Sequence, residues 1–393
     1  MAVLSMRGTG SWSADERPKN YREAILYLYP HDKAPLMAML SKLQEESVDD
    51  PEFKVFLKGL PAQRALNEDV YNNTDNPLTM HLKTANDYKM FKAGHVVINE
   101  RTLEVMWVTA SASGGGAGGQ LTLTRAIGSQ ALTAGAVDDG ILVVGSRHPE
   151  GGDVPTAIAY DPSVVTNYCQ IFRNSLDQTN TARVTRLRTG DQVKAAQKEC
   201  MLIHHIEMEK AFLFGVAHEG TGSNSQPERG TKGMLFHVTT NVQDFTAGVD
   251  IDTWENWLES IFRYGSNQKL LLAGARVINV INKLARINGH IQLQPRSDTY
   301  GLTIWSYITP FGELMLKIHP LMSENATFNS WGFVFDTGNL RYRYLKGRDT
   351  QYLRNRQTPG LDAVKDEYLT ECGLEGRFEQ THGIVKNMSA AVL

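Results

Sequence analysis

The hydrophobic positions of this chain change rhythm along its length, and each rhythm predicts a different kind of element. Residues 1–20 are polar and rich in Gly and Ser, which predicts a mobile arm. After an amphipathic stretch from Tyr21 to Tyr29, Pro35 opens a short helix with Leu36, Leu40 and Leu43 at helical spacing. From Glu52 to Lys58 the period drops to two, with Phe53, Val55 and Leu57 on one face of a half-buried strand. Strand patterns recur at 94–99, 103–109, 121–125 and 140–145, so 90–150 reads as a small antiparallel β unit. Gly114, Gly115, Gly116, Gly118 and Gly119 fall between two alternating runs and predict a hairpin tip. Residues 167–188 are polar but rich in β-branched and aromatic types, which predicts a long exposed strand bearing Arg173, Arg183, Arg186 and Arg188.

Beyond Gly190 the period lengthens. Asp191 is placed to cap a helix from Gln192 to Phe214 that contains no Gly or Pro and runs about 35 Å. Two inward stripes are expected on it: Ala195, Glu199, Leu202, Ile206 and Leu213, and beside them Val193, Ala196, Cys200 and Ile203. Gly215 terminates it. An exposed loop is expected over 218–233, then a strand at Met234–Val238. Asp252 is expected to cap a helix carrying Trp254, Trp257, Leu258, Ile261 and Phe262. Lys269–Ala273 reads as a buried strand, and 275–287 as a helix with Val277, Ile278, Ile281 and Leu284 inward. After Gly289, strands are predicted at 303–308 and 313–318 around a turn at 309–312, then at 332–335, 340–345 and 375–379. The whole is an α+β pattern with an α/β core over the Trp-rich region.

Composition narrows the function. Hydrophobic residues make up 41% and aromatic residues 9%, enough for a substantial core. Forty basic residues face 43 acidic ones, without the basic excess of a dedicated nucleic-acid binder. Cys169, Cys200 and Cys372 form no CxxC or CxH spacing, so neither a disulfide framework nor a zinc site is expected. No apolar stretch approaches the ~20 residues of a membrane span, and no secretory signal pattern opens the chain. The Asn-x-Ser/Thr sequons at Asn72, Asn325 and Asn387 therefore carry little meaning.

Candidate chemistry is sparse. The glycine cluster lacks GxxxxGK[ST] and leads into a strand rather than a helix, against a phosphate loop. His205 and Glu209 share a helix face, but HExxH and a third ligand are missing, so they read as a solvated pair. Cys200 reads as packed. Gly10–Ser13 and Gly128–Ala131 lack the second glycine of a nucleophile elbow. Arg173, Arg183, Arg186 and Arg188 suit either solvent or a neighbour's carboxylates. Lys83, Lys89 and Lys92 are the lysines open to covalent crosslinking, with no Asn partner identified. No catalytic, cofactor-binding or metal-ligating residue is assigned.

The order of these elements resembles the Hong Kong 97-type capsid fold of tailed bacteriophages. Arg125 after its strand, Asn167–Phe172, Ile206–Gly215 and Arg229–Gly233 are similar to one branch of those proteins. The resemblance implies an N-terminal arm over 1–60 and an extended loop with an inserted β unit over 61–189. It further implies a spine helix and hairpin of a peripheral domain over 190–249, an α/β axial domain over 250–330, and return strands over 331–393. It implies a structural major capsid protein, not an enzyme and without cofactors, that self-assembles into an icosahedral or prolate head around phage DNA. The implied partners are copies of itself as pentamers and hexamers, with portal, scaffolding and decoration proteins, and packaged DNA touched only non-specifically. The implied place is the virion, after synthesis in the host cytoplasm, with no membrane. No long charged helical prefix precedes the arm, so scaffolding is expected from a separate protein or from a prefix already removed. Two alternatives stand beside it: a phage tail or neck protein, which forms tubes or rings, and an α/β enzyme with a β-rich insertion, which needs a small-molecule pocket.

Overall fold

In the computed structural model, the strand Gln268–Ala273 lies within a seven-stranded mixed sheet and sets its layering. The structure describes residues 34–40, 45–61, 63–116, 118–185, 191–288, 293–299 and 302–388. The strand is apolar on both faces, as a strand buried from both sides must be. Leu271 and Ala273 point to the helices Ile251–Phe262 and Ala275–Asn288, meeting Trp254, Ile261, Val277 and Ile281. Leu270 and Leu272 point the other way, to Met208, Phe212 and Leu213 of the long helix Gln192–Phe214 and to Leu36, Met39 and Leu40 of the helix Pro35–Leu40. The strand order in this sheet is 242–244, 383–386, 332–335, 268–273, 312–318, 302–309, 293–299.

The same core continues into a second, five-stranded sheet. Its main path runs 45–48, 340–345, 363–376, 170–179, with 351–353 also paired to 363–376. The long helix packs on it through Cys200, His204, Met208 and Phe212, which recur every four residues on one side. Asp191 caps this helix by accepting from the amides of Val193 and Lys194.

Residues 56–163 form a separate compact unit. Its six antiparallel strands run in the order 64–66, 140–146, 95–99, 105–112, 120–124, 78–81. The bridge Asn67–Leu82 and the bonds Lys83 N to Leu66 O and Glu68 N to His81 O join the first strand to the last. The sheet thus closes into a small barrel without open edges. Val97, Met106, Val108, Leu121, Leu123 and Ile141 fill it. Arg125, with 0% of its side chain exposed, makes a fork-to-fork pair with Glu104 at 2.9 and 2.7 Å. Burial works to raise the Glu104 carboxyl, but Arg125 and Thr133 outweigh it and hold it below its ordinary value.

Several expectations change. The long strand expected over 167–188 belongs to the larger unit, where Gln170–Thr179 pairs along its whole length with Ala363–Gly376. The inward stripes expected on the long helix are displaced: Ile203 is exposed and His204 and Glu209 are buried, because hydrogen bonds satisfy those polar groups inside. Met234–His237 is a helical turn, since Met234, His237 and Val238 are buried at helical spacing. Asp252 lies in the first turn of its helix and the N-cap position is Asp250. The expected loop 218–233 contains a hairpin, His218–Thr221 with Pro227–Gly230. Strands 332–335 and 383–386 join the sheet of the 250–330 region rather than a separate return. The arm 1–20, the stretch 21–29, Leu43, Arg186 and Arg188 lie outside the described residues.

Arg125→Ala strands a buried carboxylate and is expected to lower stability by about 3–5 kcal/mol. Arg64→Ala, at the exposed Arg64–Glu100 pair, costs less than about 1 kcal/mol. Urea unfolding of the two variants checks the contrast.

Candidate assembly interfaces

Glu209 is fully buried, and three donors converge on its carboxylate. Leu36 N and Met37 N, at the start of the helix Pro35–Leu40, donate to its two oxygens at 2.9 Å each. His319 Nε2 lies 2.7 Å from Oε1. His319 Nδ1 accepts from Met322 N, so Nε2 carries the ring's hydrogen and donates it to Glu209. One side chain therefore ties the helix 35–40, the long helix and the turn at 319–322 together.

The strand pair 170–179 and 363–376 carries an ordered set of charges. Arg173 reaches Glu367, Arg348 reaches Glu371, and Arg343 and Arg377 share Glu375. These carboxylates are nearly buried while most of the guanidinium groups keep an exposed side. On its other edge, Gln170–Thr179 has no strand neighbour among the described residues.

A second buried polar cluster lies under the seven-stranded sheet. Lys269 Nζ donates to Tyr264 O at 2.8 Å and Thr381 O at 2.6 Å, and burial brings its ammonium down to about 8 against the pull of Asp336. His382 sits beside it, its Nδ1 accepting from Asp336 N. Burial above all lowers His382 to about 3, and the facing His237, 5.9 Å away ring to ring, to about 4.

The hairpin 302–318 leaves two aromatic side chains and an aliphatic one uncovered near its turn. Trp305, Ile308 and Phe311 are 46%, 54% and 41% exposed. Tyr264 is exposed on the loop that the hairpin's Glu313 N anchors through Asn267 O. Aromatic and aliphatic side chains grouped at one end of a sheet are interface chemistry.

The residues singled out in the sequence scatter. His205 is half-buried and Glu209 is not its solvated partner but the clamp just described, a role visible only once residues 36 and 319 are near it. Cys200 is buried and its thiol lies 3.6 Å from Asn174 O. Cys169 and Cys372 are buried as well. Arg173 meets a carboxylate of its own chain, and Arg183 is exposed. Lys83 pairs with Asp138, while Lys89 lies over the Tyr88 ring. Asn325 caps the turn at 327–328 and Asn387 bonds Asp244. Among the described residues no three His, Cys, Asp or Glu side chains gather as a metal site, and no helix is long and apolar enough to cross a membrane.

A sequence model of the family described as SU10 major capsid protein matches residues 6–389. The major capsid protein of Pseudomonas phage PaMx41 is 25% identical over 347 residues, covering 85% of this chain and 80% of that protein. Among solved structures, the capsid of an empty GTA particle computed with C5 symmetry matches over 100% of both chains, at 9% identity and a TM-score of 0.48. A chain of Mycobacterium phage Patience matches over 63% of this chain and 78% of its own, at 15% identity and a TM-score of 0.42.

Two outcomes follow from this geometry. Glu209→Ala removes the acceptor for two amides, so hydrogen exchange at Leu36 and Met37 is expected to quicken by about tenfold or more, one lost charged bond; unchanged protection at both would contradict the clamp. The two depressed histidines bind protons in the unfolded chain, near the ordinary 6.5, before they do so in the folded one. Their contribution is complete above that value and is lost as pH falls toward about 4 and then 3. Urea unfolding between about pH 7 and pH 4 is expected to show falling stability, with a shallower slope in His237→Phe.

Proposed function

This chain belongs to the SU10 major capsid protein family, and on that premise we propose how its copies close a head. It is a structural protein that forms the capsid shell of a phage, and its place is the virion. In our reading it is made in the host cytoplasm and has no catalytic role. Copies ring as pentamers and hexamers in an icosahedral or prolate shell, with the 250–330 region at the ring centre and the β unit within 61–163 reaching a neighbouring copy. Portal, scaffolding and decoration proteins complete the head, and packaged DNA is touched non-specifically.

The observation that carries the ring is the uncovered hairpin with Trp305, Ile308 and Phe311. Burying such side chains gains roughly 25 cal/mol per Å² of apolar surface. Around a ring, each copy presents this end to the next through a heterologous contact that closes by rotation. A net charge of only −3 keeps repulsion among many copies small.

Electron microscopy of the expressed chain, with its scaffold supplied, tests this. The unsubstituted chain is expected to give closed spherical or prolate particles. Phe311→Asp is expected to cut their yield at least about tenfold, a change of ~1.4 kcal/mol or more per contact, with the subunit's circular dichroism unchanged. Tubes in place of shells would favour a tail protein, and normal shells from Phe311→Asp would remove the hairpin from the ring contact.

A further inference from the structure

The barrel of residues 56–163 is apolar inside, but part of its outer wall is apolar too. Val96 pairs with Trp107 and Ile98 with Leu142 across neighbouring strands, on the face opposite the core residues Val97, Met106 and Ile141. Leu142 and Val144 on this wall are 38% and 60% exposed. The strip is half-buried at Val96, Ile98 and Trp107 and open at Leu142 and Val144, which leaves apolar surface for a contact.

A cationic corner borders the strip. The Arg147 guanidinium lies over the Trp107 ring, 3.2 Å from its centroid. Arg147 N donates to Gly94 O at 2.7 Å. Gly94 has φ +91°, and a Cβ there would meet the His148 ring at 2.9 Å, so only glycine lets these two segments approach. Lys92 and His148 both bear on the buried His95, helping burial to keep that ring neutral. Among the described residues, none of Lys92, Arg147 and His148 has an ion-pair partner. The barrel's other arginines are taken: Arg64 by Glu100, Arg101 by Asp139, Arg125 by Glu104.

This unit carries eight Lys and Arg against eleven Asp and Glu. A long polyanion would meet net repulsion from it, whereas a short acidic segment meets only the positive corner. The chain supplies such a segment. Residues 45–52 contain Glu45, Glu46, Asp49, Asp50 and Glu52, mostly exposed. Arg343 takes Glu46 and Lys54 takes Glu52, but Glu45 and Asp50 have no ion pair among the described residues.

We propose that this wall is a contact between copies, in which the acidic segment 45–52 of a second copy sets its carboxylates against Lys92, Arg147 and His148 of the first. The apolar strip is buried in the same contact. This rests on the shell reading above and adds where one copy grips the next. The two surfaces differ, so the contact is heterologous and repeats from copy to copy around a ring.

Charge reversal in the full chain tests it. Lys92→Glu with Arg147→Glu forms one variant, and Glu45→Lys with Asp50→Lys the other. Each alone is expected to lose closed particles at least about tenfold, or ~1.4 kcal/mol per contact, while folding normally by circular dichroism. Val144→Glu, at an exposed position, is expected to do the same. Combining the four substitutions in one chain is expected to restore particles, because each reversed wall then meets the reversed segment of the next copy. Wild-type yield from either charge variant alone overturns the proposal. So does failure of the four substitutions together to restore particles while the subunit folds normally. Normal empty shells that lose only packaged DNA overturn it as well, since the corner then serves nucleic acid. If the unsubstituted chain forms no shells, the shell reading falls and takes this contact with it.

Discussion

A carboxylate without water must find donors, and in this protein the way Glu209 finds them decides the arrangement of much that surrounds it. Its three donors come from residues about 110 and 170 positions away in sequence. Each is a group that would itself be left unpaired in the core: two amides at a helix start and one imidazole. Satisfying all of them at once requires the helix 35–40, the long helix and the turn at 319 to take up one mutual position. A methionine or leucine at 209 would pack but would not specify that position.

Around this clamp the larger unit is layered by the two-faced strand Gln268–Ala273. Helices 251–262 and 275–288 cover one side, and the long helix with helix 35–40 covers the other. At the hairpin 302–318 the sheet keeps apolar side chains uncovered, Trp305, Ile308 and Phe311. The barrel of 56–163 follows another logic. It closes its own sheet and neutralises the buried Arg125 with Glu104, so it needs no covering layer. Its outer wall carries a strip of apolar residues, and beside it Lys92 and Arg147 have no ion pair among the described residues. Both units fill their own cores and carry uncovered apolar surface, as expected of a subunit whose copies complete one another.

Much of this architecture was legible in the residues alone. The long helix from Gln192 to Phe214, its Asp191 cap, the buried strand at 269–273 and the hairpin around 309–312 follow from period, capping and turn chemistry, which act over a few residues. The glycine-rich stretch after Ser111 was legible as a hairpin for the same reason. Local signals failed where partners are distant. The strand Ala363–Gly376 contains Asp366, Glu367, Glu371 and Glu375, which look like solvent-facing charges until arginines from other segments are found beside them. His204 and Glu209 broke the expected helix stripe in the same way. Met234–His237 was too short for its period to be read.

The sequence by itself thus determined the long helix, the strands with a clear period of two and the α+β class, because those depend on backbone preferences and the alternation of side chains. Only the tertiary structure decided which polar groups are inside, which apolar faces stay outside, and that residues 56–163 close into a barrel of their own. Those outcomes turn on hydrogen bonds and ion pairs between residues scores of positions apart, and no local pattern records where such partners meet.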